Sequence, residues 1–201
     1  MSLPAVVRVD GRVARRRRSR EAVVEALLAL LEKGDRRPTA ARIAAEAGLS
    51  LRSVFQHFTD LEALHAEVAD LQLARLIALA GPLAVDGPLA TRLPAFVRQR
   101  ARVLEAMTPV RRSALLWAPT SPTIADRLRD GHDVSRDHVA RAFAPELRRL
   151  RGTARAELLA ALAAISSWSV WEELRAHQGL AVARAEKVLA CMLRAQLGKD
   201  A

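Results

Sequence analysis

The chain has 201 residues, of which 51% are hydrophobic and 27% are charged, and its formal net charge is +10. A chain of this length and apolar content can bury a core without metal ions or disulfides. The single cysteine, Cys191, excludes an intrachain disulfide and a cysteine-rich zinc site. No run of about 18 apolar residues is present to span a bilayer, and the N-terminus lacks a secretory signal. We therefore expect a cytoplasmic protein that needs no cofactor.

The positive charge suggests a polyanionic partner, although arginine-rich usage can also reflect genome composition. It is concentrated near the N-terminus: between Arg8 and Arg20 lie seven arginines and one acid, Asp10, without a helical apolar stripe. We interpret residues 1–18 as a flexible basic arm. By itself such an arm is more typical of a solvated tail than of a segment that binds in a groove of DNA. Beside a DNA-binding unit, binding in a groove becomes the favoured interpretation.

The predicted fold class is all-α, because apolar residues recur at helical spacing and no alternating strand pattern occurs. A first helix is predicted to begin after Ser19 and to end at Gly34. A second helix has Thr39 as its N-cap and ends at Gly48, and a third is capped by Ser50 and runs to His57. Two helices joined by a tight glycine turn within about twenty residues indicate a helix-turn-helix.

A fourth helix is predicted from Thr59-Asp60 to about residue 80, where Gly81-Pro82 and Asp86-Gly87-Pro88 interrupt the pattern. We assign residues 19–65 to a helix-turn-helix DNA-binding domain, from which the fourth helix continues, and residues 66–201 to a helical domain for ligand binding and dimerisation. Further helices are predicted at Leu89 to Met107, Val110 to Trp117, Thr123 to Phe143, Thr153 to His177 and Leu180 to Leu197.

One stretch, PTAARIAAEAGLSLRSVFQHFTDLEAL from Pro38 to Leu64, carries a specific motif. It contains a Thr-capped helix with an Ile-Ala pair, an Ala-Gly-x-Ser turn, an aromatic-x-His-Phe run and a following Glu-x-Leu. The motif resembles that of the tetracycline-repressor (TetR) family of transcriptional regulators over about residues 19 to 70. The resemblance implies a DNA-binding domain followed by a helical bundle. Phe55 stands where the family usually has Tyr, and Leu61 stands where it usually has Lys. Both differences remove a group that would contact DNA phosphate, so weaker phosphate binding is expected at these positions.

The third helix can enter a major groove with its early side chains on base edges. There Arg52 can pair with guanine and Gln56 with adenine. His57 can instead pack against the fourth helix. The full predicted set, including helix caps and the arm, is Arg15, Arg16, Arg17, Arg18, Thr39, Arg42, Ser50, Arg52, Ser53, Phe55, Gln56 and His57.

The C-terminal region carries weaker signals for two further functions. By resemblance to the family, its last helices are expected to pair with a second copy of the chain through an apolar stripe formed by Leu158, Leu162, Ile165, Val188, Leu189, Met192 and Leu193. A small, mostly apolar effector is expected among the middle helices, although these residues can also be ordinary core; the predicted wall is Phe96, Met107, Trp117, His138, Phe143, Trp168 and Trp171.

An enzyme is not expected, because the chain has no glycine-rich phosphate loop and no nucleophile elbow. His132 and His138 are six residues apart, which is not the spacing that brings two metal ligands to one helix face. The favoured hypothesis is a ligand-responsive homodimeric repressor that binds a near-palindromic double-stranded DNA. The alternatives are a helix-turn-helix protein without small-molecule control and a helical interaction protein that does not bind DNA.

Overall fold

The computed structural model describes residues 11–83 and 85–198, and helices are the only regular secondary structure in these ranges. The fold class predicted from the sequence is confirmed. The N-terminal part contains α1 (Gly11–Glu32), α2 (Ala40–Glu46) and α3 (Leu51–His57), and α4 (Leu61–Ala80) leads out of it.

The C-terminal part contains two long helices and several shorter ones. The long helices are α5 (Leu89–Trp117) and α6 (Pro122–Ala142). The remainder consists of α7 (Ala144–Leu147), α8 (Gly152–Ile165), α9 (Trp168–Glu172) with a π-helical turn at Glu173–His177, and α10 (Val182–Leu197).

Two hydrophobic cores hold these helices together. The N-terminal core joins α1 to α4 and includes Leu27, Ile43 and Val54. The C-terminal core is built mainly from α5, α6, α8, α9 and α10, with Leu104 and Trp171 among its most buried members. α5 contributes to both, because Val110 near its C-terminal end packs in the N-terminal core.

The predicted starts of the second and third helices agree with α2 and α3, because both helices have the expected N-cap. The hydroxyl of Thr39 accepts the backbone N–H of Arg42 at 3.3 Å, and that of Ser50 accepts the N–H of Ser53 at 3.2 Å. The turn between α2 and α3 places Gly48 at φ 65°, a left-handed conformation that glycine adopts without a steric penalty.

The predicted start of the first helix is wrong, because α1 begins at Gly11 rather than after Ser19. Residues 11–18 of the predicted arm are therefore helical, and residues 1–10 lie outside the described residues. Arginine is a strong helix former, so this segment needs no apolar stripe to extend a helix that is already packed further on. An ion pair of 3.5 Å between Arg17 and Glu21, one turn apart, adds to this extension.

Two other helix predictions are corrected. Pro109 does not divide Leu89 from Trp117, because Leu104 before it and Val110 after it are anchored in the two cores. Conversely, the helix predicted from Thr153 to His177 is interrupted after Ile165. There Ser167 caps α9 by accepting the N–H of Val170 at 3.3 Å.

Within residues 11–83 and 85–198, no helix is both long and apolar enough to cross a membrane. The same residues contain no cluster of three His, Cys, Asp or Glu side chains that can hold a metal ion.

Candidate functional site

The exposed side of α3 brings together the residues predicted to read bases. Val54 is buried against the core, and so is Phe58 at the end of the helix, which fixes the orientation of α3. On the other side Arg52 and Gln56 are exposed, and Phe55 is 49% exposed. α3 therefore presents a guanidinium, an amide and an apolar ring to the surroundings.

One apolar side chain on this surface was not predicted from the sequence. Leu51, the first residue of α3, is 45% exposed although it is large and aliphatic. Its neighbours Ser50 and Ser53 are engaged in the N-cap, with their hydroxyl oxygens 2.9 Å apart. A helical apolar position normally indicates core, so only the exposure of Leu51 in the folded chain shows that it belongs to this surface.

The basic part of α1 comes close to the end of α3. Arg15, Arg16, Arg17 and Arg18 are all exposed. Burial and the nearby guanidinium groups of Arg16 and Arg20 lower the pKa of His57, so the basic end of α1 is close to the end of α3. The guanidinium of Arg16 therefore lies near the end of α3, and the predicted basic arm is in part a helix that reaches this surface.

Arg20 has a structural role that the sequence analysis did not identify. Its guanidinium donates to the backbone carbonyl of His57 at 2.6 Å and to the carboxylate of Glu67. It also lies 4.3 Å from the centre of the Phe58 ring. Arg20 thus connects α1, the end of α3 and α4, and fixes the position of α3 on the core.

The two residues predicted to contact DNA from the start of α2, Thr39 and Arg42, are exposed, but each already has a partner within the protein. Thr39 is held by its capping bond to the N–H of Arg42. The Arg42 side chain forms an ion pair of 2.7 Å with Asp35, while 62% of its surface stays accessible. A phosphate that contacts Arg42 would therefore compete with Asp35.

A cavity of about 1120 Å³ lies in the C-terminal part, between α4, α5, α6, α8 and α9. Much of its wall is apolar, with Leu73, Leu76 and Ile77 from α4 and Val103, Leu104 and Met107 from α5. Its volume is slightly larger than the about 300–1,000 Å³ that is usual for small-molecule sites in proteins.

Three of the seven predicted wall residues line this cavity: Met107, His138 and Trp168. Three others belong to the core behind it. Phe96 and Phe143 pack edge to face with their ring centres 4.9 Å apart, and Trp171 is 1% exposed with its indole N–H on Glu105 at 2.7 Å. Helical periodicity cannot distinguish a stripe that faces a cavity from one that faces the core.

Trp117 lies elsewhere, because α5 continues past Pro109 and carries it to the N-terminal part. Its ring centre is 5.1 Å from that of His65 on α4. His65 is buried, which lowers its pKa to about 4, so it is neutral at neutral pH. The predicted role of Trp117 in the effector wall is therefore wrong for this cavity.

Among the polar groups that line the cavity, His138 was predicted from the sequence, but two arginines were not. Arg100 and Arg111 of α5 line the cavity although both are buried, at 6% and 8% exposure. They occur at the same helical spacing as the apolar residues Leu93, Phe96, Val97 and Leu104. A cation within an apolar stripe is the sequence signal that could have identified them.

The predicted dimerisation residues divide into two groups. Leu162, Leu189 and Leu193 are at most 1% exposed and pack in the core of their own chain. Leu158, Ile165, Val188 and Met192 are half-buried. A second copy would therefore contact the latter group and the exposed sides of α8 and α10, rather than the whole predicted stripe.

The arrangement matches that of known regulators in fold, whereas neither a protein-family profile nor a curated protein matches the sequence. A transcriptional regulator from Rhodococcus sp. Rha1 superimposes with a TM-score of 0.69 at 20% identity, over 90% of this chain and 96% of that one. A candidate TetR-family regulator from Mesorhizobium loti gives a TM-score of 0.65 at 20% identity, over 92% and 97%. A candidate regulator from Saccharomonospora viridis, in complex with choline, gives 0.67 at 19% identity, over 90% and 96%.

These similarities define the fold of the chain. It has the architecture of TetR-type transcriptional regulators, with an N-terminal helix-turn-helix unit and a C-terminal helical region.

Proposed function

We propose that the protein is a sequence-specific, DNA-binding transcriptional regulator that acts as a homodimer and whose DNA affinity falls when a small molecule occupies the cavity. The exposed side of α3 is the observation that carries this proposal. Arg52, Phe55 and Gln56 are exposed on a helix of about two turns, and the basic end of α1 lies beside it. A short, firmly packed helix with such side chains fits a major groove.

The exposed groups supply complementary contacts to DNA. A guanidinium such as that of Arg52 donates two hydrogen bonds to guanine, and an amide such as that of Gln56 pairs with adenine. Apolar side chains such as Leu51 and Phe55 suit the thymine methyl group. The exposed arginines of α1 suit phosphates, which supply affinity without sequence information.

The position of α4 supports a coupling between the cavity and the DNA-binding surface. This helix is about 30 Å long, and Leu64 and Val68 in its first half pack in the N-terminal core. Leu73, Leu76 and Ile77 in its second half line the cavity. A ligand therefore contacts the helix that also supports α3, and it can favour a spacing of the two recognition helices other than the about 34 Å between successive major grooves.

Fluorescence anisotropy with double-stranded DNA tests the proposal. We expect the protein to bind a fragment from beside its own gene more tightly than random DNA of equal length at the same salt concentration. Arg52→Ala and Gln56→Ala are each expected to weaken specific binding by about tenfold to a hundredfold, since a good bidentate contact contributes about 1–3 kcal/mol of discrimination. Binding to random DNA is expected to change much less.

Arg98→Ala is the matched control, because Arg98 is an exposed arginine of α5 beside the C-terminal end of α4. This variant is expected to bind both DNA fragments like the unmodified protein. Equal affinity for the gene-proximal and random fragments, or an unchanged sequence preference in both α3 variants, would contradict the proposed base recognition by α3.

A further inference from the structure

Three buried arginines occur on α5, and their partners differ. Arg92 forms an ion pair with the buried carboxylate of Glu146 and donates to two backbone carbonyl oxygens, at 2.9 and 2.8 Å. In the described part of the chain, no carboxylate forms an ion pair with Arg100 or Arg111, although Asp86 and Asp133 also line the cavity. These two cations are therefore buried beside a cavity without a negative partner.

The groups that contact Arg100 and Arg111 are neutral. Arg100 donates from Nε to the backbone carbonyl of Ser166 at 2.7 Å and from Nη2 to the hydroxyl of Ser135. Arg111 donates to Nε2 of His132 at 2.7 Å and lies 5.2 Å from the centre of the Trp168 ring. Its Nε is buried and has no hydrogen-bond partner.

The electrostatics of this region favour an anion. Burial and the positive charge of Arg111 lower the pKa of Arg100 to about 10, so the two guanidinium groups repel each other. Burial, Arg100 and Arg141 lower the pKa of His138 to about 4, and neither ring nitrogen of this histidine has a partner. A buried charge without a counter-charge is costly, and an anion in the cavity would remove that cost.

The rest of the cavity wall limits the kind of anion. Leu73, Leu76, Ile77, Leu104 and Met107 line the same space and offer no hydrogen bonds from their side chains. A highly charged, fully polar ligand would leave this apolar surface unused. A ligand with one compact anionic group and an apolar body would satisfy both parts of the wall.

We infer that the cavity binds an amphipathic organic carboxylate, with its carboxylate between Arg100 and Arg111 and its apolar body along α4 and the middle of α5. This inference rests on the proposed function in that it names the ligand class of the same cavity. The sequence predicts a mostly apolar effector, and the inferred ligand differs from it by carrying an acidic group. Arginine suits this group because its planar guanidinium donates two parallel hydrogen bonds to a carboxylate.

Isothermal titration calorimetry of the free full-length protein tests the inference with ligands that share a ten-carbon chain. The ligands are decanoate, 1-decanol, decyltrimethylammonium and decyl phosphate. We expect decanoate to bind at least about tenfold more tightly than 1-decanol, because charge-assisted hydrogen bonds are about twice as strong as neutral ones. Decyltrimethylammonium is expected to bind most weakly.

Substitutions on α5 identify the groups that recognise the acid. Arg111→Met and Arg100→Met are each expected to remove most of the preference for decanoate over 1-decanol. Arg102→Met is the matched control, since Arg102 is exposed on the same helix and does not line this cavity. Arg111→Met is the primary variant, because Arg100 also holds the backbone of Ser166, and thermal unfolding confirms that each variant is folded.

Four results would overturn the inference: no binding of decanoate, equal affinity for decanoate and 1-decanol, tighter binding of decyl phosphate than of decanoate, or a preference for decanoate that survives in folded Arg111→Met. The titration contains no DNA, so its outcome is independent of the anisotropy experiment. A protein that prefers decanoate but does not discriminate between DNA fragments would support the ligand class and contradict the regulatory function.

Discussion

Two buried polar residues, Arg92 and His65, affect the stability of this protein in different ways. Arg92 forms an ion pair with Glu146 and donates to two carbonyl oxygens, so its buried charge has a counter-charge and hydrogen-bond partners. His65 is 5% exposed, and its Nε2 has no hydrogen-bond partner. It can remain buried because it is neutral, which makes the stability of the protein sensitive to acid.

We expect the free energy of unfolding to decrease as the pH falls from about 6.5 to about 4, in part because of His65. Its pKa in the folded protein is about 4, below the ordinary value of 6.5, so over this range the unfolded chain binds a proton that the folded chain does not. The shift corresponds to a loss on the order of 3 kcal/mol. Urea unfolding at pH 7 and pH 4 measures it, and His65→Leu is expected to reduce the difference.

Gln72→Leu is the control for this measurement. Gln72 is buried on the same helix and donates to the backbone carbonyl of Ala106 at 2.8 Å, but it does not titrate. Its substitution is expected to change stability equally at both pH values. The same pH dependence in His65→Leu as in the unmodified protein would show that His65 is not the source.

At the scale of the helix, the two halves of the 22-residue helix α1 differ in their burial. Its second half is anchored in the N-terminal core through residues such as Val23 and Leu27. Its first half has no buried residue, so the side chains of Arg15 to Arg18 are arranged by the helix and remain exposed to solvent. A helix presents these charges in a fixed geometry. Binding of DNA by these arginines would therefore cost less conformational entropy than binding by a flexible arm.

We expect the replacement of Arg15, Arg16, Arg17 and Arg18 by Ala to lower DNA affinity and reduce its dependence on salt. Alanine preserves the helix, and each lost phosphate contact decreases the slope of log K against log salt concentration by about 0.9. Anisotropy titrations at several salt concentrations give the slope. The control variant replaces four exposed arginines of the C-terminal part: Arg98, Arg102, Arg149 and Arg151. It is expected to leave the slope unchanged. An equal decrease of the slope in both variants would contradict a specific role for α1.

The sequence predicts helices best where local signals determine them. The caps at Thr39, Ser50 and Asp60 act within one turn, so the starts of α2, α3 and α4 are predicted correctly. The continuity of α5 across Pro109 depends on packing against helices that are distant in sequence, and local signals do not contain that information. The cavity is unpredictable for the same reason, since it is a space between helices and not a property of one.

At the scale of the whole molecule, we expect a second copy of the chain to bind at α8 and α10. α8 has one buried residue in the described structure, Leu162, and much of α10 is exposed. Met192 is half-buried without being part of the core of its own chain. Because two helix-turn-helix units related by a twofold axis read a near-palindrome, dimerisation through this surface would also determine the DNA target.

We expect Met192→Arg to weaken or abolish the homodimer by placing a charge in its apolar interface. Sedimentation analysis over a range of protein concentrations measures the change. Ala183→Arg adds the same charge nine residues away on α10, which is the opposite side of the helix at about 100° per residue, and it is expected to leave the dimer intact. A sedimentation coefficient of the monomer for the unmodified protein would contradict the dimer itself.

The continuity of α5 joins the two hydrophobic cores of the protein through a single helix. Its helix is about 43 Å long and has Leu104 in one core and Val110 in the other, without a linker between them. Its C-terminal end also accepts a hydrogen bond from Arg37 at the carbonyl of Leu116, and it places Trp117 against His65. A cut at the predicted boundary between residues 65 and 66 would fall inside α4 and would deprive the helix-turn-helix of this support. The helix-turn-helix region is therefore completed by a later segment of the chain, and we expect it to be less stable when it is produced alone.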